Sequence, residues 1–333
     1  MLAKAIVAVD QKKVEIREVE LGPMGEWDVR VELEASAISA GTESYALAAH
    51  TKENSPYIMG YAPVGRVVET SEKAAASHKV GERVSYFAPS PPVGVRQGCG
   101  GHMSPAICHV DPGTRDLLGP DQYVVKVPGG LSSARAAFGG VSAVSCMGVS
   151  LAEPNVGDKA FVIGQGLIGH FAALHFKLRG AEVAVADIHE NRLRMAKEGG
   201  MDHTINCAKE DMAEAVRSIW PDGADIIADS TGNYDVIDAS VDAIRYRGKY
   251  VILAWCKGAN FNLPKFHNRV SAAYFPWTLE GARVLHSWRL MDMGSLDIDH
   301  IISHRMPYTD AQKAFDMIYN TPGRLTGILL EWK

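Results

Sequence analysis

A glycine-rich turn constrains what this chain can fold into more than any other feature of the sequence. It follows a short apolar run, precedes an apolar stretch with helical spacing, and places Gly164, Gly166 and Gly169 in the order G-x-G-x-x-G. A strand that turns into a helix in this way is typical of domains that bind a dinucleotide. Gly164 permits the tight turn, Gly166 lets the backbone approach a pyrophosphate, and Gly169 lets helix and strand pack closely. Backbone N–H groups at the helix start, at Leu167 and Ile168, then face the phosphate.

An acidic residue follows at the distance that this kind of site requires. Asp187 ends the next apolar run, where a carboxylate accepts hydrogen bonds from the adenosine ribose and repels a 2′-phosphate, so NAD is favoured over NADP. Nearby His189, Arg192 and Arg194 weaken this preference, because an arginine can turn toward a 2′-phosphate. The alternatives are an ordinary strand-to-helix turn for the glycines and a helix N-cap for Asp187.

Strand and helix patterns alternate around this motif. The alternation predicts a parallel sheet with helices on both faces, and therefore an α/β Rossmann domain over residues 141–279. The predicted strands are residues 160–163, 183–186, 225–229 and 250–254, and the predicted helices are residues 168–179, 190–198, 210–220 and 236–244.

The first part of the chain has a different texture. Short apolar runs separated by Gly, Pro and charged turns predict a β-rich domain over residues 1–140, and the strand, helix and strand patterns of the tail predict that residues 280–333 complete it. The segment 85–101 is dense in Pro, Gly and Ser and predicts an irregular loop. Strands are expected at residues 5–9, 29–33, 64–68 and 83–87, and the tail elements at residues 301–306, 310–319 and 327–332.

Length, charge and cysteine usage limit the class of protein. The 333 residues allow two hydrophobic cores, and the net charge of −5 is spread along the chain, so no nucleic-acid or membrane partner is expected and a small-molecule substrate is favoured. No apolar run is long enough to span a bilayer and no secretory leader precedes the first strand, which predicts a cytoplasmic protein. The five cysteines never form a Cys-x-x-Cys pair, and free thiols in a reducing compartment fit this pattern.

Several segments together resemble the medium-chain dehydrogenase/reductase superfamily, of the zinc-type alcohol dehydrogenase-like kind. The resemblance covers nearly the whole chain and implies a GroES-like β-rich catalytic domain joined to a Rossmann doubly wound parallel sheet. It rests on the dinucleotide motif and on residues 37–43, 60–68, 80–84 and 327–332.

The resemblance also shows where this chain departs from zinc-dependent members. Those members place metal ligands at the positions held here by Ala40, by Tyr61 and by a glycine at 139 or 140. None of these side chains can act as a thiolate, imidazole or carboxylate ligand. The four-cysteine lobe for a structural zinc is missing as well. The resemblance is therefore to a zinc-independent branch, similar to bacteriochlorophyllide a dehydrogenase, and no metal is expected.

One local cluster offers an alternative metal site. Cys99, His102, Cys108 and His109 stand close together in the sequence. If residues 106–110 form a strand, however, Cys108 and His109 point to opposite faces and cannot share one tetrahedral ion. Loop thiols with a partly buried histidine are the favoured interpretation.

Without zinc, the resemblance implies that hydroxyl or imidazole donors polarise the substrate oxygen. Thr42 stands where the family has a hydroxyl that contacts this oxygen, and Tyr61 can donate as a general acid. Tyr45 stands where many zinc members have a relay histidine, and His102 can supply a proton near neutral pH. The alternatives are a turn cap for Thr42, space filling for Tyr61 and structural roles for Tyr45 and His102. Glu43 is expected to be structural.

The resemblance places further residues beside the cofactor. Arg192 matches a basic residue that contacts the adenosine ribose. Thr231 with Gly232, and Ala254 with Trp255, fall where the chain passes the nicotinamide. A simple core position is the alternative for Trp255.

The sequence thus predicts an oxidoreductase that interconverts a polar secondary alcohol and a ketone with NAD(H). Two other functions stay open: an NADPH-dependent reductase of activated C=C bonds, such as a quinone or enoyl reductase, and a nucleotide-binding homologue without catalysis. Residues 251–274 match the region through which the family dimerises, so a homodimer is expected.

Overall fold

Two compact units make up the protein. The computed structural model describes residues 1–111, 123–256, 262–276 and 281–333. Unit 1 comprises residues 1–140 together with 279–333, and unit 2 comprises residues 141–278. Elements are numbered below in chain order.

Unit 1 is built mainly from strands. Its strands are β1 (Leu2–Asp10), β2 (Lys13–Glu20), β3 (Asp28–Ile38), β4 (Tyr57–Ile58), β5 (Pro63–Thr70), β6 (Arg83–Phe87), β7 (Arg96–Gln97), β8 (Met103–Ser104), β9 (Ala106–His109), β10 (Tyr123–Lys126), β17 (Ile302–Pro307) and β18 (Gly327–Glu331). Its helices are α1 (Ala40–Ala48), α2 (Ser133–Ala136), α9 (Gly281–Asp292) and α10 (Ala311–Asn320).

Two sheets organise unit 1. One has the order β2-β1-β4-β7 with β8 beside β1, and the other has the order β10-β6-β5-β3-β18-β17 with β9 beside β3. Strand β18 pairs antiparallel with β3, placing Leu330 opposite Ser36. The tail therefore pairs with a strand from the first part of the chain.

Unit 2 alternates strands and helices. Its strands are β11 (Lys159–Ile163), β12 (Glu182–Asp187), β13 (His203–Asn206), β14 (Ala224–Asp229), β15 (Ile244–Ile252) and β16 (Val270–Tyr274). Its helices are α4 (Leu167–Leu178), α5 (Glu190–Glu198), α6 (Met212–Ile219), α7 (Tyr234–Ser240) and α8 (Leu263–Arg269), and α3 (Gly139–Ala152) leads into it.

The sheet of unit 2 is parallel, with the order β13-β12-β11-β14-β15-β16. Its central strands are buried on both faces because helices cover them. The order reverses between β11 and β14, and such a reversal opens a crevice at the carboxyl ends of the two strands where dinucleotides bind. The predicted Rossmann architecture is confirmed.

Two of the differences between the sequence-based prediction and the structure concern helices. The helix predicted over 236–244 ends earlier, since α7 stops at Ser240 and β15 already begins at Ile244. Helix α1 was not predicted, because Gly41, Thr42 and Ser44 have modest helix propensity. It forms nonetheless, because Glu43 and Leu47, four residues apart, are buried on one face.

Within the described ranges, no helix is long and apolar enough to cross a bilayer.

Candidate active site

Helix α1 has a buried face and an exposed face, and the candidate catalytic residues that it carries lie on the exposed one. Glu43 and Leu47 point into the unit, whereas Thr42 and Tyr45 are exposed, with Tyr45 at 48 % of its full accessibility. Residues three apart on a helix lie on the same face. Thr42 and Tyr45 therefore lie on one surface of α1.

Glu43 is buried directly behind that surface. Its Oε1 accepts the Ser39 backbone N–H at 2.7 Å, and its Oε2 lies 2.8 Å from His102 Nε2. Ser39 is the N-cap residue of α1. The carboxylate thus joins the start of the helix to a histidine from the glycine-rich loop, a structural role consistent with the sequence-based expectation for Glu43.

His102 has no exposed surface, and both ring nitrogens are engaged. Nδ1 lies 2.9 Å from Ser36 Oγ, and Nε2 faces Glu43. The ring packs against Gly60, where a Cβ atom would lie 2.6 Å from it. This placement revises the role expected for His102, because a fully enclosed imidazole cannot hand a proton to a substrate directly.

Tyr61 is also buried, and its phenol O–H donates to Ser39 Oγ at 2.7 Å. Burial raises the pKa of Tyr61 well above its usual value, and hydrogen bonds with the Ser39 and Thr42 hydroxyl groups only partly oppose that shift. The phenol therefore stays protonated through the physiological pH range. Because its O–H points at Ser39, Tyr61 lies behind Thr42 rather than at the surface.

The resemblance matches three positions of this chain to metal ligands of zinc-dependent members, namely Ala40, Tyr61 and a glycine at 139 or 140. Ala40 has no donor atom, and the Tyr61 phenol is committed to Ser39. At Gly139, a Cβ atom would lie 2.2 Å from Nε1 of the buried Trp288, which donates to the Ala136 carbonyl at 2.9 Å. These residues do not fit a catalytic zinc ion.

The alternative cluster of cysteine and histidine is divided by a strand. Cys108 on β9 is buried, and burial raises the pKa of its thiol far above the usual value. His109 lies on the other face with Nδ1 2.9 Å from Asp28 Oδ1. Across the described ranges, no three His, Cys, Asp or Glu residues are grouped closely enough to hold a metal ion.

The glycine turn of unit 2 is held rigidly. Gly164 has a φ of +83°, and a Cβ atom at Gly169 would lie 1.9 Å from the Gly164 carbonyl oxygen. Ser230, just after β14, donates from Oγ to the carbonyls of Ile163 at 2.9 Å and Gly164 at 3.1 Å. Two of the three glycines are therefore required by the backbone itself, whether or not a ligand is bound.

The third glycine is different. Gly166 is the N-cap residue of α4, and nothing lies within 4 Å of the place where its Cβ atom would be. Open space at the start of a helix, faced by the N–H groups of Leu167 and Ile168, suits a pyrophosphate. The turn fits a dinucleotide, and Gly166 is the glycine that the protein's own packing does not explain.

Asp187 lies at the carboxyl end of β12 with its carboxylate oriented by the backbone. Oδ2 accepts the Gln165 N–H at 2.7 Å, and Oδ1 accepts the His189 N–H at 2.9 Å. The Arg192 guanidinium lies 3.5 Å from Oδ2. A carboxylate has about four acceptor positions, so Asp187 retains the capacity to bind ribose hydroxyl groups.

The segment after β14 contributes two residues that sequence reasoning missed, Asp229 and Ser230. Buried Asp229 accepts the Thr231 hydroxyl at 2.7 Å and the Gly232 N–H at 2.9 Å. Burial raises the pKa of its carboxyl group. Polar residues at the end of a buried strand were the available signal.

The segment after β15 carries the last two predicted cofactor residues. Ala254 is half-buried, and Trp255 is 64 % exposed. The alternative of a core position for Trp255 is wrong, since a core indole would be enclosed. Both residues lie just beyond the carboxyl end of β15, near Gly232, where a Cβ atom would approach the Trp255 carbonyl oxygen to 2.9 Å.

Comparison with protein families and curated proteins agrees with this architecture. Residues 168–306 match the family described as zinc-binding dehydrogenase. The chain is 28 % identical over 294 residues to an alcohol dehydrogenase of Geobacillus stearothermophilus, covering 84 % of each chain. It is 27 % identical over 309 residues to the uncharacterized zinc-type alcohol dehydrogenase-like protein YdjJ of Escherichia coli, covering 81 % of this chain and 84 % of the relative.

Solved structures share the fold over the full length. The 2R,3R-butanediol dehydrogenase of Bacillus subtilis superposes with a TM-score of 0.84 at 21 % identity, covering 99 % of this chain and 100 % of that one. A zinc-binding dehydrogenase from Sinorhizobium meliloti, crystallised with NADP, superposes with a TM-score of 0.82 at 21 % identity and covers 100 % of both chains.

Proposed function

We infer that this chain belongs to the medium-chain dehydrogenase/reductase superfamily, in its zinc-type alcohol dehydrogenase-like family. We infer that it is an NAD(P)-dependent oxidoreductase that interconverts a polar secondary alcohol and a ketone. We further propose that it does so without a catalytic metal, in line with the zinc-free branch that the sequence resembles. The observation that carries the proposal is the group of hydroxyls from Ser39, Thr42 and Tyr61 in unit 1. Tyr61 stands at a position that the resemblance matches to a metal ligand, and the chain also has a complete dinucleotide turn.

The cofactor would be held by the glycine turn, the start of α4, Asp187 and the segments after β14 and β15. A bound nicotinamide supplies or accepts the hydride. The oriented Asp187 carboxylate supports NAD, as the sequence predicts. Arg192 leaves a route to NADP, the cofactor found in the Sinorhizobium structure.

The chain's own residues would manage the charge on the substrate oxygen. Reduction of a ketone builds negative charge on that oxygen, and one well-placed donor is worth about 10²–10³ in rate. Exposed Thr42 is the residue proposed to contact the oxygen. Tyr61 stays protonated and therefore remains a hydrogen-bond donor to the Ser39 hydroxyl group.

A panel of secondary alcohols and ketones, followed by NADH absorbance, tests this function. Turnover is expected in protein shown by elemental analysis to lack zinc. Thr42→Val should lower kcat by about 10²-fold while NADH binding is kept, and Thr42→Ser should retain most of the activity. Stoichiometric zinc, or activity that a chelator abolishes and zinc restores, would overturn the metal-free proposal.

The two alternatives have their own signatures. A reductase of activated C=C bonds should prefer NADPH, so NADPH binding at least about tenfold tighter than NADH binding, together with turnover of a quinone or enone, would favour it. A non-catalytic homologue should bind the nucleotide but turn over neither the alcohols and ketones nor the quinones and enones.

We also propose a homodimer formed through residues 251–274, supported by the position of β16 at the edge of the parallel sheet.

A further inference from the structure

A row of hydrogen bonds crosses unit 1 from β18 to α1. Trp332 Nε1 donates to Ser36 Oγ at 2.9 Å, and Ser36 Oγ lies 2.9 Å from His102 Nδ1. His102 Nε2 lies 2.8 Å from Glu43 Oε2. We refer to Trp332, Ser36, His102 and Glu43 as the buried row. Ser36, His102 and Glu43 are all at most 3 % exposed.

The groups at the two ends of the buried row determine which atoms donate in the hydrogen bonds there. An indole N–H can only donate, and an ionised carboxylate can only accept. An ionised Glu43 accepts at both oxygens, from the Ser39 N–H and from His102 Nε2, so that His102 then carries a proton on Nε2. Ser36 accepts from Trp332 and is then free to donate its own proton to His102 Nδ1. Every bond in the row is satisfied when His102 is the neutral Nε2–H tautomer.

The buried row ends beneath the proposed substrate-contacting residue. The second Glu43 oxygen accepts the backbone N–H of Ser39, whose Oγ accepts the Tyr61 hydroxyl. Ser39 begins α1, and Thr42 lies in the first turn of that helix. A shift of the carboxylate therefore moves the backbone that carries Ser39 and Thr42.

We propose that Trp332, Ser36, His102 and Glu43 are positioning residues, which hold the first turn of α1 so that the Thr42 hydroxyl meets the substrate oxygen. This inference rests on the proposed function of Thr42. The buried row supports the first turn of α1 from inside unit 1. Misplacement of a reacting group by about 1 Å can cost about 10²-fold in rate, so the support affects turnover rather than cofactor binding.

The first test removes the donor at the far end of the buried row. Trp332 stacks on Tyr308 with ring centroids 4.4 Å apart and an angle of 3° between the planes. Trp332→Phe keeps an aromatic ring there but removes the N–H group. We expect kcat to fall about tenfold with the Kd for NADH unchanged, whereas Tyr308→Phe, which keeps the stack and the indole, should retain wild-type kcat. Equal kcat in wild type and Trp332→Phe, or an equal loss in Tyr308→Phe, would contradict the proposal.

A second pair of variants separates positioning from folding. Ser36→Ala breaks the buried row at its second member, and Ser36→Thr restores the hydroxyl group. We expect Ser36→Ala to lower kcat and Ser36→Thr to recover it. Because both changes interrupt one row, adding Trp332→Phe to Ser36→Ala should cause no further loss. Independent, multiplying losses would mean that the row does not act as a unit.

The third test does not need turnover. Nitrogen-15 NMR of the imidazole rings distinguishes the two neutral tautomers and the imidazolium, and among the 12 histidines the His102 signals are those lost in His102→Gln and shifted in Trp332→Phe. The expected state is neutral with the proton on Nε2. A proton on Nδ1, alone or in addition, would overturn the buried row. This readout stands even if no alcohol or ketone is turned over, which would refute the proposed function alone.

Discussion

At the scale of single residues, the three glycines of the dinucleotide turn serve different purposes. Gly169 is required by packing, because a Cβ atom there would meet the Gly164 carbonyl oxygen. Gly166 has open space around it. Substitutions at these two positions therefore test the stability of the turn and its ligand binding separately.

We expect Gly169→Ala to lower the free energy of unfolding by about 1–3 kcal/mol, as overpacking against a fixed backbone does. Gly166→Ala should leave the thermal unfolding midpoint close to wild type but weaken NADH binding about tenfold or more, since its methyl group takes the space of the pyrophosphate. Fluorescence titration and calorimetry measure the two quantities. Gly22→Ala, at another open glycine, is the control and should change neither. NADH affinity unaffected by Gly166→Ala would contradict the assigned site.

Cys207, close to Asp187, has an unusual thiol. Burial and then the negative charges of Asp187, Glu210 and Asp211 raise its pKa from 9.0 to about 11. A raised thiol pKa means that the proton is held to higher pH in the folded protein, and only the thiolate reacts with alkylating agents. At pH 8, iodoacetamide should modify Cys207 about a hundredfold more slowly in the folded chain than in the urea-unfolded chain.

The difference should shrink as the pH rises from 9 toward 11, because the folded thiol then ionises as well. Peptide mass spectrometry follows the modification of Cys207 itself. Equal rates in the folded and unfolded chain at pH 8 would show that its pKa is not raised.

At the scale of elements, helix α9 packs against Gly139, one of the two glycines, 139 and 140, that the resemblance offers as the third ligand position. Its Trp288 covers Gly139, the first residue of α3, and bonds to the Ala136 carbonyl. A side chain at position 139 must displace the indole. The packing of α9 therefore leaves no room for a metal ligand at position 139.

Restoring the zinc ligands by Ala40→Cys, Tyr61→His and Gly139→Cys should accordingly fail to create a zinc site. Gly139→Cys alone should lower the free energy of unfolding by about 3 kcal/mol through overpacking. Gly129→Cys, at a glycine with nothing within 4 Å, is the matched control and should be nearly neutral. Denaturant unfolding and zinc analysis of the triple variant provide the measurements. Stoichiometric zinc in a stable triple variant would contradict this account.

The sequence predicted the parts of the site that depend on residues close together in the chain. It did not predict the parts that depend on contacts between distant residues. The turn at Gly164 and the acid at Asp187 lie within one strand-helix-strand unit, so spacing alone predicts them. His102 and Glu43 are 59 residues apart, and Ser36 and Trp332 are 296 residues apart. Periodicity carries no information about such pairs, so the sequence left open whether His102 supplies a proton or is structural, and the structure encloses it.

The sequence also predicted the alternation of unit 2 well, because buried parallel strands read as continuous apolar runs. Short elements of unit 1 such as β4, β7 and β8 were not predicted. Two-residue strands have no periodicity of their own, and they exist because neighbouring strands supply their hydrogen bonds.

At the scale of the whole molecule, the edge strand β16 gives the proposed homodimer a testable surface. Ala273 is exposed on this strand. Ala273→Asp should weaken a dimer by placing a charge in the interface while leaving the core of unit 2 intact. Light scattering after size exclusion should report about twice the 36.0 kDa chain mass for the wild type and a shift toward 36.0 kDa for the variant.

Ala49→Asp, at an exposed alanine just after α1, is the control and should behave as the wild type. A wild-type mass of 36.0 kDa across the concentrations used for activity would rule out the dimer.

The division of unit 1 into two segments has a consequence for how the protein is made. Residues 141–278 leave the ribosome as one continuous stretch and can pack as a unit, while the Ala35–Ile38 stretch of β3 waits for β18. Domains generally fold as units during synthesis, and an unpaired strand edge is prone to aggregate. Unit 2, which carries the dinucleotide turn, is therefore synthesised completely before unit 1 and can fold first. Ser36 gains its contact with Trp332 only when the last strand arrives, so the nascent protein acquires its cofactor fold before its complete chemical site.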